Sequence, residues 1–273
     1  MNRRRFLSFA ALGAPALAAG YGLFEASCFR IARLTIPVRN LPVPFSGLTI
    51  ALLTDLHHGR YTSLHYIRTV VEVTNALQPD VVCLGGDYAL ASRKYLPPCF
   101  DVLSELNARL GVFGVLGNHD HYYGATLTRE LMRNARVAEI TNGGYWFMLR
   151  GTRLRIAGVD DLWEGTQDLA AALSDARTDD ACILLSHNPD YVETLADARV
   201  GLVLSGHTHG GQVVFPGPYA PFVPSKFGTK YLHGLVKTDV TQVYVSRGLA
   251  TVGPPIRIGA PPEISFLTLT PAT

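Results

Sequence analysis

Thr49-Ile50-Ala51-Leu52-Leu53-Thr54-Asp55-Leu56-His57 is an apolar run of strand length that ends on a carboxylate and an imidazole two positions apart. A strand covered on both faces is apolar at nearly every position, as in a parallel sheet, and turns polar where it ends. The same pattern recurs along the chain. Val81–Leu84 leads into Gly86-Asp87, Val112–Leu116 into Gly117-Asn118-His119-Asp120, Ala181–Leu185 into His187, and Val200–Leu204 into Gly206-His207-Thr208-His209. Leu154–Val159 is similar and ends on Asp160-Asp161. Between the first three runs, Ile67, Val70, Val71 and Leu77, and then Cys99, Leu103, Leu106 and Leu110, recur at helical spacing. Thr62 or Ser63 can cap the first helix, and Pro97-Pro98 can open the second. Asp55 to Asp87 is 32 residues and Asp87 to Asn118 is 31, each about one βαβ unit, so these three groups are expected on neighbouring strands. The alternation predicts an α/β protein with a largely parallel sheet covered on both faces, and a ligand site at the carboxyl ends of its strands.

Taken singly, each motif has a plain structural reading. Asp-x-His is a common spacing, Asn-His-Asp can cap a helix, and Gly-His-x-His can be a loop with two ordinary histidines. Their joint placement argues for a metal site: seven of the nine histidines (His57, His58, His119, His121, His187, His207 and His209) fall in or beside the strand ends. Mixed oxygen and nitrogen donors suit Mn, Fe or Zn, and a carboxylate can serve two cations at once. The four cysteines form no CxxC pair, and Cys83 and Cys182 sit inside apolar runs, as small core residues do.

The ordered set Asp-x-His, Gly-Asp, Gly-Asn-His-Asp, His, Gly-His-x-His resembles the calcineurin-like metallophosphoesterase family from about Ile50 to the carboxyl terminus. Ser186–Asp190, Gly206–Gln212, Ser246–Leu249 and Pro262–Ile264 resemble its exported or membrane-associated bacterial branch. That branch includes phosphodiesterases and a pyrophosphatase that cleaves UDP-2,3-diacylglucosamine. The resemblance implies a single-domain, four-layer α/β/β/α fold, a β-sandwich of mixed sheets flanked by helices. It implies two divalent metal ions (Mn, Zn or Fe), one held by Asp55, His57 and His209, the other by Asn118, His187 and His207, with Asp87 bridging both. It also implies hydrolysis of a phosphodiester, pyrophosphate or phosphomonoester by in-line attack of a metal-bridging hydroxide. His119 is then free to donate a proton to the leaving oxygen, and Asp120 is expected to orient it. Arg247 and Arg257 are candidate phosphate contacts because guanidinium forks fit phosphate geometry, and His58 is a further candidate in the cleft.

Arg3-Arg4-Arg5 precedes a stretch without charge from Phe6 to Phe24. Arg-Arg-x-Phe-Leu resembles a twin-arginine export signal, and Ala16-Leu17-Ala18 offers a small-x-small cleavage site. An uncleaved membrane anchor is the alternative, although Gly13, Pro15, Gly20 and Gly22 weaken the stretch as a spanning helix. The expected organisation is a signal or anchor over 1–30, a connector over 31–48 and a catalytic domain over 49–273. Either N-terminal reading places the catalytic body outside the cytoplasm, in the periplasm or on the inner membrane facing it, with the twin-arginine machinery as a partner. An envelope or lipid-linked phosphoester is the expected substrate; a UDP-2,3-diacylglucosamine-type pyrophosphatase and a non-catalytic metal-binding scaffold are the alternatives. With 48% hydrophobic and 17% charged residues the chain is not disordered as a whole. Its formal charge of +2 owes three arginines to the leader, and no basic stripe interleaved with aromatics marks it for nucleic acid. Phe215–Tyr231, rich in Gly, Pro and aromatics, reads as a rigid surface loop, or as a lid or lipid-facing lip.

Overall fold

Successive side chains of a strand point to opposite faces, so a strand apolar throughout needs a partner layer on each side. Both layers are present in the computed structural model, which describes residues 17–217 and 219–272. The Arg3–Leu7 motif lies outside the described residues. The first sheet has the order β1 (Arg30–Val38), β12 (Glu263–Pro271), β2 (Thr49–Leu53), β3 (Val81–Leu84), β4 (Val112–Gly114), β5 (Ala138–Glu139). The second has the order β10 (Gly234–Lys237), β11 (Gln242–Val245), β9 (Val200–Ser205), β8 (Ala181–Leu185), β7 (Thr152–Gly158), β6 (Gly143–Leu149). Strands β2 to β5 are parallel, as are β7, β8, β9 and β11, while β12, β10 and β6 run against their neighbours β2, β11 and β7.

Ile50, Leu52, Val81, Cys83, Ile156, Ile183, Leu202 and Leu204 form the seam between the sheets. Their neighbours in sequence face outward: Ala51, Leu53, Val82 and Leu84 pack under α2 (Leu64–Ala76), α3 (Leu96–Leu103) and α4 (Asn118–Asn134). Ala157, Cys182, Leu184 and Val203 pack on the far side beneath α5 (Leu169–Leu173) and Tyr191-Val192. The layers are therefore α/β/β/α. Each sheet is covered by helices on one face and by the other sheet on its second, not by helices on both, as the apolar runs alone suggested. Ser63 caps α2, accepting from the Tyr66 N–H, and Pro97-Pro98 lie in the first turn of α3. The four cysteines are unpaired.

The stretch 31–48 carries more structure than a connector. Arg30–Val38 pairs in parallel with β12 along its whole length, and Ile36 and Val38 enter the seam. A helix over 17–27, α1, precedes it. No helix among the described residues is long and apolar enough to cross a membrane.

Candidate metal centre

The carboxyl ends of the parallel strands in both sheets open at one end of the sandwich, and the polar motifs meet there. Sheet one contributes Asp55 and His57 after β2, Asp87 after β3 and Asn118 after β4; sheet two contributes His187 after β8, then His207 and His209 after β9. All seven are buried. Backbone contacts join the two sheets at this edge: the His207 N–H donates to the Asp55 carboxylate at 3.1 Å, and His187 Nδ1 bonds the Gly85 carbonyl at 2.8 Å. Gly117 and Gly206 are glycines for lack of room, since a Cβ on Gly117 would meet the Asp87 carboxylate and one on Gly206 that of Asp55.

Asp55 (φ 56°), His57 (42°), Asp87 (60°), His207 (67°) and His209 (52°) all occupy the left-handed backbone region. Such residues cost of order 1–3 kcal/mol each, and this density marks a place where function overrides local preference. The turned backbones aim the side chains inward in two groups. His57 Nε2 and His209 Nε2 stand 3.3 Å apart, with Asp55 Oδ1 3.4 Å from the latter. His187 Nε2 lies 3.2 Å from both His207 Nδ1 and Asp87 Oδ2. Asp87 Oδ2 is also 3.5 Å from His57 Nε2, so one carboxylate oxygen lies between the groups.

The donor chemistry fits cations. A proton on His187 Nδ1, facing the Gly85 carbonyl, leaves Nε2 as a lone pair aimed at a carboxylate oxygen and another imidazole nitrogen. His209 Nδ1 faces the Ala250 carbonyl at 3.1 Å, which likewise leaves its Nε2 bare toward His57. The buried Asn118 Oδ1 and His207 Nε2 have no hydrogen-bond partner among the described residues. Acceptors gathered face to face repel unless positive charge sits among them. Burial lowers the His57 and His209 pKa values to about 3 and pushes His207 down too, which favours the neutral rings with their lone pairs free. Asp87 is held well below the carboxylate range by His187 and His57, against the effect of burial.

Residues 48–211 match the family model described as calcineurin-like phosphoesterase. The chain belongs to this family. It is 35% identical over 280 residues to the uncharacterized metallophosphoesterase YkuE of Bacillus subtilis, covering 98% of each chain. It is 31% identical to the phosphodiesterase YaeI of Escherichia coli, over 98% of this chain and 99% of that one. Among solved structures, Haemophilus influenzae NAD nucleotidase aligns with a TM-score of 0.49 at 16% identity, over 74% of this chain and 45% of that one. The protein is thus a metal-dependent phosphoester hydrolase with an α/β/β/α fold.

Not every expected site residue of this phosphoesterase faces the metal centre. The half-buried His119 does: its ring stands edge-on to His57 at 4.9 Å, its backbone N–H donates to Asp87 Oδ1 at 2.9 Å, and its buried Nδ1 has no partner among the described residues. Asp120 does not orient it. Its carboxylate turns back to accept the N–H groups of Asp87, Tyr88 and Gly117, at 2.7, 3.0 and 2.9 Å, closing the first turn of α4 and bracing the Asp87 loop. Burial and the charge of Asp87 push its pKa up to about 7 in spite of these donors.

Arg247, Arg257 and His58 are engaged elsewhere in the structure and do not line the cavity. Arg247 is paired to Glu263 at 2.6 Å and bonded to His233 at 3.1 Å. His58 Nδ1 bonds the Thr62 carbonyl at 2.8 Å, with its ring edge-on to Tyr95. Arg257 is wholly buried and donates to the carbonyls of His209, Arg247, Ala250 and Ala260, so its guanidinium fastens the loop behind His209. Arg257→Lys keeps the charge but loses the planar fork, and is expected to lower stability by roughly 1–3 kcal/mol in urea unfolding. An unchanged midpoint would contradict the fastening role.

Sequence reasoning missed Trp163, whose ring stands edge-on to His207 at 4.3 Å. Asp161, which follows β7, sets the loop by accepting from the Trp163 and Glu164 N–H groups at 2.9 and 3.0 Å. Its partner Asp160 bonds His121 at 2.8 Å. That bond raises the His121 pKa above 6.5 and, against burial, lowers Asp160 below 3.8. The raised histidine stabilises fully below its unfolded pKa and loses that contribution as pH rises through the folded value. The depressed carboxylate stabilises above its unfolded pKa and loses that contribution as pH falls. The stability difference between wild type and His121→Gln is therefore expected to be largest between about pH 4 and 6.5 and to shrink above pH 7. A pH-independent difference in unfolding midpoint would exclude the ion pair as its source.

Proposed function

We propose that the phosphoesterase hydrolyses a lipid-linked phosphodiester, pyrophosphate or phosphomonoester of the cell envelope, at a centre of two divalent metal ions (Mn, Zn or Fe). The observation that carries this reading is the cavity of about 570 Å³ above the centre. Asp87, Asn118, His119, His207 and His209 line it together with Thr208 and Gln212, while Trp163, Phe215, Pro221, Phe222, Pro224 and Val252 supply most of its apolar wall. The polar groups suit a phosphate and the apolar ones a hydrocarbon chain.

Asp55, His57 and His209 would hold one ion, Asn118, His187 and His207 the other, with Asp87 between them. Bound there, two divalent ions supply a nucleophile at neutral pH and neutralise charge on the phosphoryl oxygens. His119 reaches the cavity from the side of the Asp87 group and is placed to hand a proton to the departing oxygen. The neutral His57, His207 and His209 keep their lone pairs available, and the apolar wall limits water around the phosphate. Export by the twin-arginine machinery to the periplasmic side would bring the enzyme to such substrates.

The test is a panel of a soluble p-nitrophenyl phosphodiester, a long-chain phosphodiester in mixed micelles, and a UDP-sugar, each with Mn, Zn or Fe added. The long-chain ester is expected to have a KM at least about tenfold below that of the short one, from burying a few methylene groups. Equal KM values would remove the lipid-linked assignment, preferred cleavage of the UDP-sugar would favour the pyrophosphatase alternative, and no turnover at all would favour the scaffold.

A further inference from the structure

The apolar wall of the cavity continues onto the protein surface, toward α1. The segment 251–260 carries both. On one side, the Arg257 N–H donates to the Gly22 carbonyl at 3.0 Å and the Ala260 N–H to Glu25 Oε1 at 2.9 Å, fixing α1 against the body. On the other, Val252 exchanges hydrogen bonds with the Gln212 side chain at 3.0 and 3.1 Å, and the Val214 N–H donates to the Ile258 carbonyl at 2.7 Å. Phe215 and Tyr219 then pair across a tight antiparallel bridge and lead to Phe222 at the mouth of the cavity.

Both parts show large apolar side chains to solvent. On α1 they are Tyr21, Leu23 and Phe24; at the mouth they are Phe222, which is 74% exposed, and Val252, with Tyr219 beside them on the Phe215 bridge. Glu25 is the only charged residue within 17–27, and it is buried against the body. The outward side of α1 therefore has no charge, unlike a water-facing helix surface. Upstream the sequence stays uncharged as far back as Phe6. A protein partner selected for specificity would meet charged or hydrogen-bonding groups at the rim; a bilayer needs only apolar area.

We infer that α1 and the Tyr219–Phe222 lip dock together on a lipid bilayer, with the cavity mouth against the leaflet. A membrane phosphoester then enters headgroup first, without its chains crossing water. The inference rests on the proposed lipid-linked substrate for its purpose, but its test reads no turnover.

In the full chain, Trp146→Phe and Trp163→Phe remove both native indoles and Phe222→Trp places one at the mouth. With vesicles of phosphatidylglycerol and phosphatidylethanolamine carrying brominated acyl chains, this indole is expected to lose about half of its emission, as for a ring seated roughly 5–10 Å into the leaflet. In the same background Met148→Trp, on β6 at the opposite end of the sandwich, is expected to lose none. Emission unchanged at position 222 while the chain sediments with vesicles would mean that α1 tethers the protein with its mouth turned away, and would overturn the inference. A second variant does not depend on tryptophan replacement. Phe24→Ser with Tyr219→Ser is expected to weaken vesicle partition on the order of tenfold or more. Unchanged partition would likewise overturn docking. Failure of either measurement leaves the hydrolase reading standing, because cleavage of the soluble phosphodiester is measured separately.

Discussion

Asp87→Asn is expected to lose bound metal and turnover together, with kcat falling on the order of 10³-fold or more. Asp87 Oδ2 lies within 3.5 Å of ring nitrogens from both groups, His57 and His187. An amide there keeps the volume but removes the charge that both groups face. The fold itself should survive, since a buried charge is removed and Asp120 still braces the loop through its three N–H partners. Metal analysis by mass spectrometry beside circular dichroism separates these effects. A variant that retains two ions per chain and full activity would remove Asp87 from the bridging position.

His119→Ala should have the second largest effect, a fall in kcat of about 10²–10⁴-fold with metal content unchanged. The ring packs edge-on to His57 and face-on to Tyr123, at 4.9 and 5.8 Å between centroids, which holds it at the cavity wall. Because its nitrogen also lies near His57 and Asp87, the measurement must distinguish a proton donor from a ligand. The choice of leaving group does so. A p-nitrophenolate departs without a proton, whereas an alkoxide needs one, so the loss should be much smaller for nitrophenyl than for alkyl esters. Equal losses for both, accompanied by a lost ion, would make His119 a ligand instead.

The polar ends of the apolar runs were legible because burial on both faces leaves few places for charge along such strands. Asp55, His57, Asp87, Asn118, His187, His207 and His209 could be found that way without knowing how the sheets meet. The sandwich could not be read from the runs alone, since a strand under a second sheet and a strand under helices are equally apolar. Strand β1 was hidden by its position at a sheet edge: Ile36 and Val38 face the seam, but Arg30 and Arg33 interrupt the apolar pattern. Asp120 misled because it adjoins His119 in sequence, while neighbours on a helix project about 100° apart. Arg257 misled because an arginine near phosphate-binding motifs looks like a phosphate contact, and sequence does not disclose four carbonyls waiting inside. Backbone twisted to positive φ at five of the seven positions leaves no trace in the sequence, because Asp and His are not glycine.

The division of the seven groups between two sheets has a consequence for biosynthesis. When the ribosome has released the first sheet's strands up to β5, the chain holds Asp55, His57, Asp87 and Asn118 but none of the three imidazoles that follow β8 and β9. On the proposed assignment neither ion then has its full set, so tight loading waits until the second sheet has formed and closed on the first. Metal uptake would in that case mark the completion of folding, and chelator-treated protein should melt several degrees lower and more gradually than loaded protein.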